Sequence, residues 1–335
     1  MVQFIPAQDS RFRYEGRVDF ADPSAPVIIW AGTRISVDFT GRALALHFDG
    51  AMGQNFFNAE VDGVMTVVAA SAGASGRIEL PVTAGPARHH LELFKRTEAA
   101  AGHVRFRGME IAGNAQATVP APPGYRLRME FLGDSIMAGA CNEDGAEDQW
   151  ENRATHNNAL SYTALTAAAF RADYRCMAVS GMGIAAGYVE VKAGQVWDRL
   201  YPAADAPRAN LQAWQPDVVL INFGENDDSF PRGQGQPFPP TYTAGYVALA
   251  KAVRAAYPRA ELVLLRGGMY SGSQSAPLIA AWTTAVREIE AADPAASDFV
   301  FTHWSQTHPR VSDDRAMEAE LVAWLKQQPF MRKFF

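Results

Sequence analysis

Leu127-Arg-Met-Glu-Phe-Leu-Gly-Asp-Ser135 is the stretch of sequence that decides the fold of this chain. It is a short, mostly apolar run that ends in a glycine and two polar residues. Similar runs of strand length recur at residues 174–179, 217–223, 261–266 and 298–302. Helical patterns separate or follow them, at residues 161–170, 187–200, 242–257, 277–292 and 313–327. Strands that alternate with helices predict a parallel sheet covered on both faces, and hence a flavodoxin-like three-layer α/β/α domain with five parallel strands.

The first third of the chain has a different pattern. Apolar and polar residues alternate in short runs with glycine or proline between them, at residues 35–39, 43–48, 57–61, 64–68, 90–94 and 103–107. This pattern predicts an antiparallel β-sandwich or jelly roll. Residues 115–125 contain three prolines and a glycine, which predicts an extended linker. We therefore expect a β-sandwich domain over residues 1–114, a linker over 115–125 and an α/β domain over 126–335.

Composition excludes several classes of function. The chain has 335 residues, a net charge of −6 and 48% hydrophobic residues, which is ordinary for a globular protein. It has no long basic run, so we expect no nucleic-acid partner, and an acidic chain has no attraction to an anionic membrane. The first residues, MVQFIPAQDS, lack the basic start and apolar core of a signal peptide, which predicts a cytoplasmic protein, or a periplasmic or secreted one if a signal was trimmed. The oligomeric state is not indicated.

The two cysteines, Cys141 and Cys176, are too few for a disulfide framework in a chain of this length. Cys176 lies in an apolar run, which is typical of a core thiol. A single bridge between the two is left open.

Polar residues follow each of several predicted strands. Ser135 follows the first, and the others are followed by Val179-Ser-Gly-Met-Gly183, Asn222-Phe-Gly-Glu-Asn-Asp227 and His303-Trp-Ser-Gln-Thr-His-Pro309. Functional groups of open α/β sheets gather at the carboxyl ends of the strands. The sequence therefore predicts one site at this edge.

These blocks resemble the signature of the SGNH, or GDSL, hydrolase superfamily. Its four signature residues correspond to Ser135, Gly181, Asn226 and His308. The first third is similar to carbohydrate esterase family 2, whose members join a jelly roll to an SGNH domain. The stretches that carry this likeness are Gly16-Arg-Val-Asp-Phe20, Phe57-Asn-Ala-Glu-Val-Asp-Gly63 and Leu91-Glu-Leu-Phe-Lys-Arg-Thr-Glu-Ala99. The resemblance implies removal of O-acetyl groups from polysaccharides such as xylan or glucomannan, and from smaller sugars.

The implied chemistry is that of a serine esterase. A serine hydroxyl needs a base within hydrogen-bonding reach, so His308 would take the proton of Ser135 and later give it to the departing sugar hydroxyl. The backbone N–H groups of Ser135 and Gly181 and the side-chain amide of Asn226 would form the oxyanion hole. We expect no metal and no organic cofactor.

The sequence departs from the wider family at Ser305, where many SGNH enzymes have an aspartate three residues before the histidine. We therefore expect a Ser–His dyad, as the likeness to family 2 implies. A backbone carbonyl near Ser305 or Thr307 would receive the Nδ1–H of His308.

Several residues and functions remain alternatives. His303 is a rival base, which we interpret as structural, and Trp304 is either a sugar contact or part of the core. Asp227 is a further candidate for substrate contact. The first rival function is an esterase of other specificity, for short-chain acyl esters, thioesters or sialate O-acetyl groups. The second is a carbohydrate-binding protein with a weak hydrolase site.

Overall fold

The computed structural model of this chain describes residues 2–83, 88–113 and 115–335. The chain divides into two compact units, Met1–Gly124 and Tyr125–Phe335. Across the described residues, no helix has both the length and the apolar character that crossing a membrane requires.

The first unit consists of antiparallel strands, as predicted. In chain order they are β1 (Val2–Pro6), β2 (Arg13–Glu15), β3 (Val18–Asp19), β4 (Val27–Ile28), β5 (Arg34–Thr40), β6 (Ala43–Gly53), β7 (Phe56–Val61), β8 (Val64–Ala69), β9 (Arg77–Leu80), β10 (His89–Lys95), β11 (Gly102–Ala112) and β12 (Gln116–Thr118). They form two sheets, ordered β3-β4-β11-β6-β9 with β1 beside β11, and β12-β5-β10-β7-β8 with β2 beside β5.

Side chains from both sheets of the first unit form one apolar core. In the second sheet Leu91 lies opposite Val37 and Leu93 opposite Ile35, and all four are buried. Burial of alternate residues is the reason that the period-two pattern could be read from the sequence.

Part of the range predicted as a linker is a β-strand. Residues Gln116–Thr118 form β12, in which Ala117 pairs with Phe39 of β5 and is buried. The prolines that suggested a linker all lie beyond this strand, so they do not prevent its pairing.

The second unit contains the predicted parallel sheet. Its strands are β13 (Leu127–Gly133), β14 (Ala172–Ala178), β15 (Val218–Asn222), β16 (Glu261–Met269) and β17 (Ala296–Ser305). They are ordered β14-β13-β15-β16-β17, and every neighbouring pair is parallel. Residues 218–221 of the central strand are fully buried, which shows that both faces of the sheet are covered.

Helices cover this sheet. They are α1 (Ser135–Ala138), α2 (Tyr162–Ala169), α3 (Ala193–Val196), α4 (Glu225–Gly233), α5 (Tyr242–Ala256), α6 (Tyr270–Gln274), α7 (Ala276–Ala292) and α8 (Val311–Gln327). Helix α2 packs against α8, and α5 packs against α7. The predicted fold class, a β-sandwich followed by a three-layer α/β/α domain, is confirmed.

The helix predicted over residues 187–200 is wrong, because only Ala193–Val196 is helical there. The chain before it curls around the carboxylate of Asp227, which accepts the backbone N–H groups of residues 184, 185 and 186. These three donors precede the predicted range, so the contact shapes the loop that leads into it.

Candidate active site

Ser135 is the first residue of α1, directly after β13. The residue before it, Asp134, caps the helix, since its Oδ1 accepts the Ile136 N–H at 3.1 Å. Among the described residues, neither the hydroxyl nor the backbone N–H of Ser135 has a hydrogen-bond partner. The capped turn therefore fixes the serine backbone and leaves both groups for a substrate.

Gly181 lies in the loop after β14 and has a φ of +78°. A Cβ at this position would lie 3.1 Å from Cβ of Tyr188, so both the backbone conformation and the available space favour glycine. Its carbonyl accepts the Tyr188 N–H at 2.8 Å. Its own N–H has no acceptor in the described part of the chain, as an oxyanion donor requires.

Asn226, near the start of α4, ties three strand ends together. Its Nδ2 donates to Oδ2 of Asp134 and to the carbonyl of Met182, each at 3.0 Å. An amide nitrogen has two hydrogens, so both are engaged here. The oxyanion role of Asn226 stays a prediction, and it requires that one of these hydrogens be shared with the substrate oxygen.

His308 is held by a carboxylate that the sequence analysis missed. Its Nδ1 lies 2.6 Å from Oδ2 of Asp148, which stands 160 residues earlier in the chain. The prediction of a carbonyl near Ser305 or Thr307 is therefore wrong. The Thr307 carbonyl instead accepts the hydroxyl of Ser305 at 2.6 Å. An ionised carboxylate only accepts hydrogen bonds, so it favours the tautomer with the proton on Nδ1 and leaves Nε2 free to act as a base.

Asp148 is kept ionised by its neighbours. Oδ1 accepts a hydrogen bond from Nη1 of Arg310 at 2.8 Å. Burial alone would raise the pKa of Asp148, but the hydrogen bonds from His308 and Arg310 outweigh it and hold that pKa well below its usual range. A carboxylate that remains charged can stabilise an imidazolium at His308.

The segment after Ser135 is joined to the segment after His308. Arg310 Nη1 donates to the carbonyl of Cys141 at 3.1 Å, and the Val311 N–H donates to the carbonyl of Asn142 at 3.0 Å. Since residues 141–150 also supply Asp148, these contacts position the acid against the histidine. The ring of Trp150 stacks on that of His308, with centroids 5.5 Å apart.

His303 has a carboxylate partner of its own, different from that of His308. Its Nε2 is 2.8 Å from Oδ1 of Asp313, and its backbone N–H donates to Glu320 at 3.0 Å. These contacts tie the end of β17 to α8, which agrees with a structural role.

Asp227 was predicted as a candidate for substrate contact, but its side chain is enclosed by the protein. It is fully buried, and its oxygens accept the N–H groups of Ile184, Ala185 and Ala186 at 2.6–2.9 Å. Burial raises the pKa of this carboxyl and the three donors lower it, with burial the larger effect. Its function here is to shape the loop that follows Gly181.

Trp304 is half-buried on β17, with its ring 6.1 Å from that of Tyr270, which is 38% exposed. Its contact with a sugar stays a prediction. Both cysteines are free and buried, so the disulfide left open by the sequence does not form. In the described ranges, one group of side chains could hold a metal ion, formed by Cys141, Asp148 and His308.

Residues 131–320 match the family model described as GDSL-like Lipase/Acylhydrolase family. The chain belongs to that family. Residues 14–123 match the model described as Carbohydrate esterase 2 N-terminal. The resemblance inferred from the sequence is thus confirmed.

Named relatives of this chain are carbohydrate esterases. The cellulase/esterase CelE of Acetivibrio thermocellus is 31% identical over 78% of this chain, which spans only 31% of that relative's length. The acetylxylan esterase/glucomannan deacetylase of Cellvibrio japonicus is 27% identical over 89% of this chain and 85% of its own length. A family 2 carbohydrate esterase from Clostridium thermocellum, solved in complex with cellohexaose, superposes with a TM-score of 0.84 and 28% identity, covering 94% of this chain and 98% of that one.

Proposed function

We propose that this chain is a serine esterase that removes O-acetyl groups from carbohydrates such as acetylated xylan, glucomannan or their oligosaccharides. The observation that carries the proposal is the hydrogen bond between His308 and Asp148, in the family whose signature serine is Ser135. A histidine oriented by an ionised carboxylate is the base that a serine nucleophile needs. The named relatives supply the substrate class.

In this mechanism Ser135 Oγ attacks the acetyl carbonyl while Nε2 of His308 takes its proton. The C–O bond to the sugar then breaks, and the imidazolium returns the proton to the departing sugar oxygen. Water repeats both steps on the acetyl-enzyme and releases acetate. Asp148 remains ionised throughout and stabilises the imidazolium.

The proposed oxyanion hole has two donors that are free in the described part of the chain and one that is already engaged. The N–H groups of Ser135 and Gly181 are both available, and Asn226 shares a hydrogen with the developing oxyanion. Each such donor lowers the activation barrier by about 3–4 kcal/mol. Two well-placed N–H groups therefore account for several orders of magnitude in rate.

Aromatic side chains from the loop after β14, from helices α4 and α6 and from the end of β17 support a sugar substrate. Tyr188, 61% exposed, lies with its ring 5.1 Å from that of Phe230, and Tyr270 pairs with Trp304. Partly exposed aromatic rings are suited to stacking on pyranose rings. The alternative of a binding protein with a weak hydrolase site was based on Ser305, which stands where related enzymes have an aspartate. Asp148 supplies a carboxylate to His308 from another part of the chain, so this reason no longer applies.

The test is acetate release from acetylated xylan and glucomannan by wild type and by Ser135→Ala, with no metal added. We expect release by wild type alone, with the variant equally stable to heat. Turnover of p-nitrophenyl acetate without release from either polysaccharide would keep the esterase and reject the polysaccharide substrates. Equal release by the variant would reject Ser135 as the nucleophile.

A further inference from the structure

The thiol of Cys141 lies next to the proposed acid–base pair, Asp148 and His308. Ligand atoms of Cys141, Asp148 and His308 all lie within 4.8 Å of one another. The cysteine is fully buried, whereas the side chains of Asp148 and His308 are 28% and 18% exposed. The cluster is therefore closed to solvent at the cysteine sulfur and partly open to solvent at the imidazole and the carboxylate. The mechanism above makes no use of the thiol.

The three side chains match the preferences of a thiophilic divalent cation. Zinc binds thiolate, imidazole and carboxylate in tetrahedral sites, with ligand atoms about 3–4 Å apart, and three protein ligands leave one position for water. Side-chain shifts of about an ångström would bring this cluster to that geometry. Imidazole Nε2 of His156, 3.4 Å from the cysteine sulfur, adds a further nitrogen beside it.

We propose that Cys141, Asp148 and His308 form an inhibitory binding site for a thiophilic divalent cation such as Zn²⁺. This inference rests on the proposed function, since it makes the metal a brake on the esterase. The cation takes the place of the hydrogen between Asp148 and His308.

Binding of the cation releases one proton to solvent and moves another within His308. Cys141 releases its S–H proton to solvent and binds as thiolate. His308 moves its proton from Nδ1 to Nε2, so that Nδ1 can bind the cation. The two anionic ligands neutralise the charge of the ion. A histidine protonated at Nε2 cannot accept the proton of Ser135, so the esterase stops without any damage to its fold.

The first experiment measures binding without reference to activity. Cd²⁺ is titrated into the whole chain while its charge-transfer absorption with thiolate is followed in the ultraviolet. We expect the band at one equivalent in wild type and in Cys176→Ala, the matched control at the other buried cysteine. We expect no band in Cys141→Ala or Cys141→Ser. No band in wild type, or an unchanged band in both Cys141 variants, would overturn the site.

The second experiment measures hydrolysis of p-nitrophenyl acetate against Zn²⁺ concentration. Wild type and Cys176→Ala should be inhibited alike. The Cys141 variants, each measured against its own metal-free rate, should need at least about tenfold more Zn²⁺ for half inhibition. Equal sensitivity of all four proteins would show that zinc acts elsewhere. A cadmium band in a protein that hydrolyses no ester would keep the site and reject the proposed function instead. If Cys141→Ala fails to fold, the isosteric Cys141→Ser decides both experiments.

Discussion

His303 and His308 stand close together in the sequence, and each has a carboxylate partner. His303 Nε2 lies 2.8 Å from Asp313, and His308 Nδ1 lies 2.6 Å from Asp148. The pairs differ in the nitrogen that is engaged. Asp148 binds Nδ1 and leaves Nε2 of His308 free, whereas Asp313 occupies Nε2 of His303. This difference, rather than proximity to an acid, supports His308 as the base.

The two pairs provide a matched test of the carboxylate. Asp148→Asn should lower kcat on p-nitrophenyl acetate by about 10²–10⁴-fold, because an amide can donate to Nδ1 and then favours the wrong tautomer. Asp313→Asn makes the same chemical change beside His303 and should leave kcat close to that of wild type. Steady-state kinetics with thermal unfolding as a control distinguish them. Equal kcat values for both variants would reject Asp148 as the residue that orients the base.

The sequence indicates the residues proposed for the chemistry more directly than it indicates the residues that contact them. Ser135, Gly181, Asn226 and His308 stand in short motifs at strand ends, where position along the chain implies position at the sheet edge. Asp148 stands in an irregular loop with several other acidic residues and no periodic pattern. Its pairing with His308 depends on how Arg310 folds that loop, through contacts with Gly145, Asp148 and the backbone of His308.

At the scale of elements, the loop after β14 depends on α4. The Asp227 carboxylate accepts three successive N–H groups of that loop, and a Cβ at Gly183 would collide with the Ala186 carbonyl and the Asp227 side chain. The position of the Gly181 N–H therefore depends on a carboxylate that never meets substrate. This loop leads into the range predicted as a helix over residues 187–200, of which only Ala193–Val196 is helical.

Asp227→Asn should lower kcat by about 10–100-fold. The amide replaces one of the two acceptor oxygens by a donor NH₂ group, which displaces the loop that carries a proposed oxyanion donor. KM should change little, since Asp227 is fully buried. Asp228→Asn is the control, because the adjacent buried carboxylate binds Ser275 and Arg232 instead of this loop. A rise in KM with unchanged kcat, or equal losses in both variants, would contradict the positioning role. The measurement is the separate determination of kcat and KM.

Helix α8 carries a buried acid that joins it to two other segments. Asp314 is fully buried, and its oxygens accept the Tyr162 N–H at 2.9 Å and the Asn142 amide at 3.1 Å. No cation is among these contacts. Burial raises the pKa of Asp314 to about 8, more than the two hydrogen bonds lower it.

This raised pKa predicts how stability depends on pH. The folded state keeps the proton while the unfolded state loses it, so the stabilisation is present below the ordinary pKa of 3.8 and is lost as pH rises toward about 8. The loss is at most about 1.4 kcal/mol per pH unit. Asp314→Asn does not titrate, so its stability deficit relative to wild type should shrink between about pH 5 and pH 8. Urea unfolding at both pH values measures this, and a constant deficit would contradict it.

At the scale of the whole molecule, the two sequence patterns correspond to two units with separate sheets. Period-two alternation predicted the first, and strand–helix alternation predicted the second, because burial in each fold follows the backbone period. Proline and glycine positions predicted the end of the first unit's strands less accurately. Prolines at positions 120, 122 and 123 suggested a linker from residue 115, but β-pairing extends to Thr118.

The division of the chain leads to a prediction about its second unit. Every residue placed in the proposed catalytic site lies between Asp134 and Arg310, and the parallel sheet beneath it has its own buried strands. Residues 125–335 alone should therefore hydrolyse p-nitrophenyl acetate with a kcat near that of the whole chain, and the same fragment with Ser135→Ala should not. Circular dichroism and a cooperative thermal transition establish that the fragment is folded. A folded but inactive fragment would show that the first unit completes the site. If the fragment keeps its activity on the small ester and loses it on acetylated xylan, the first unit is needed for the polymer and not for the chemistry.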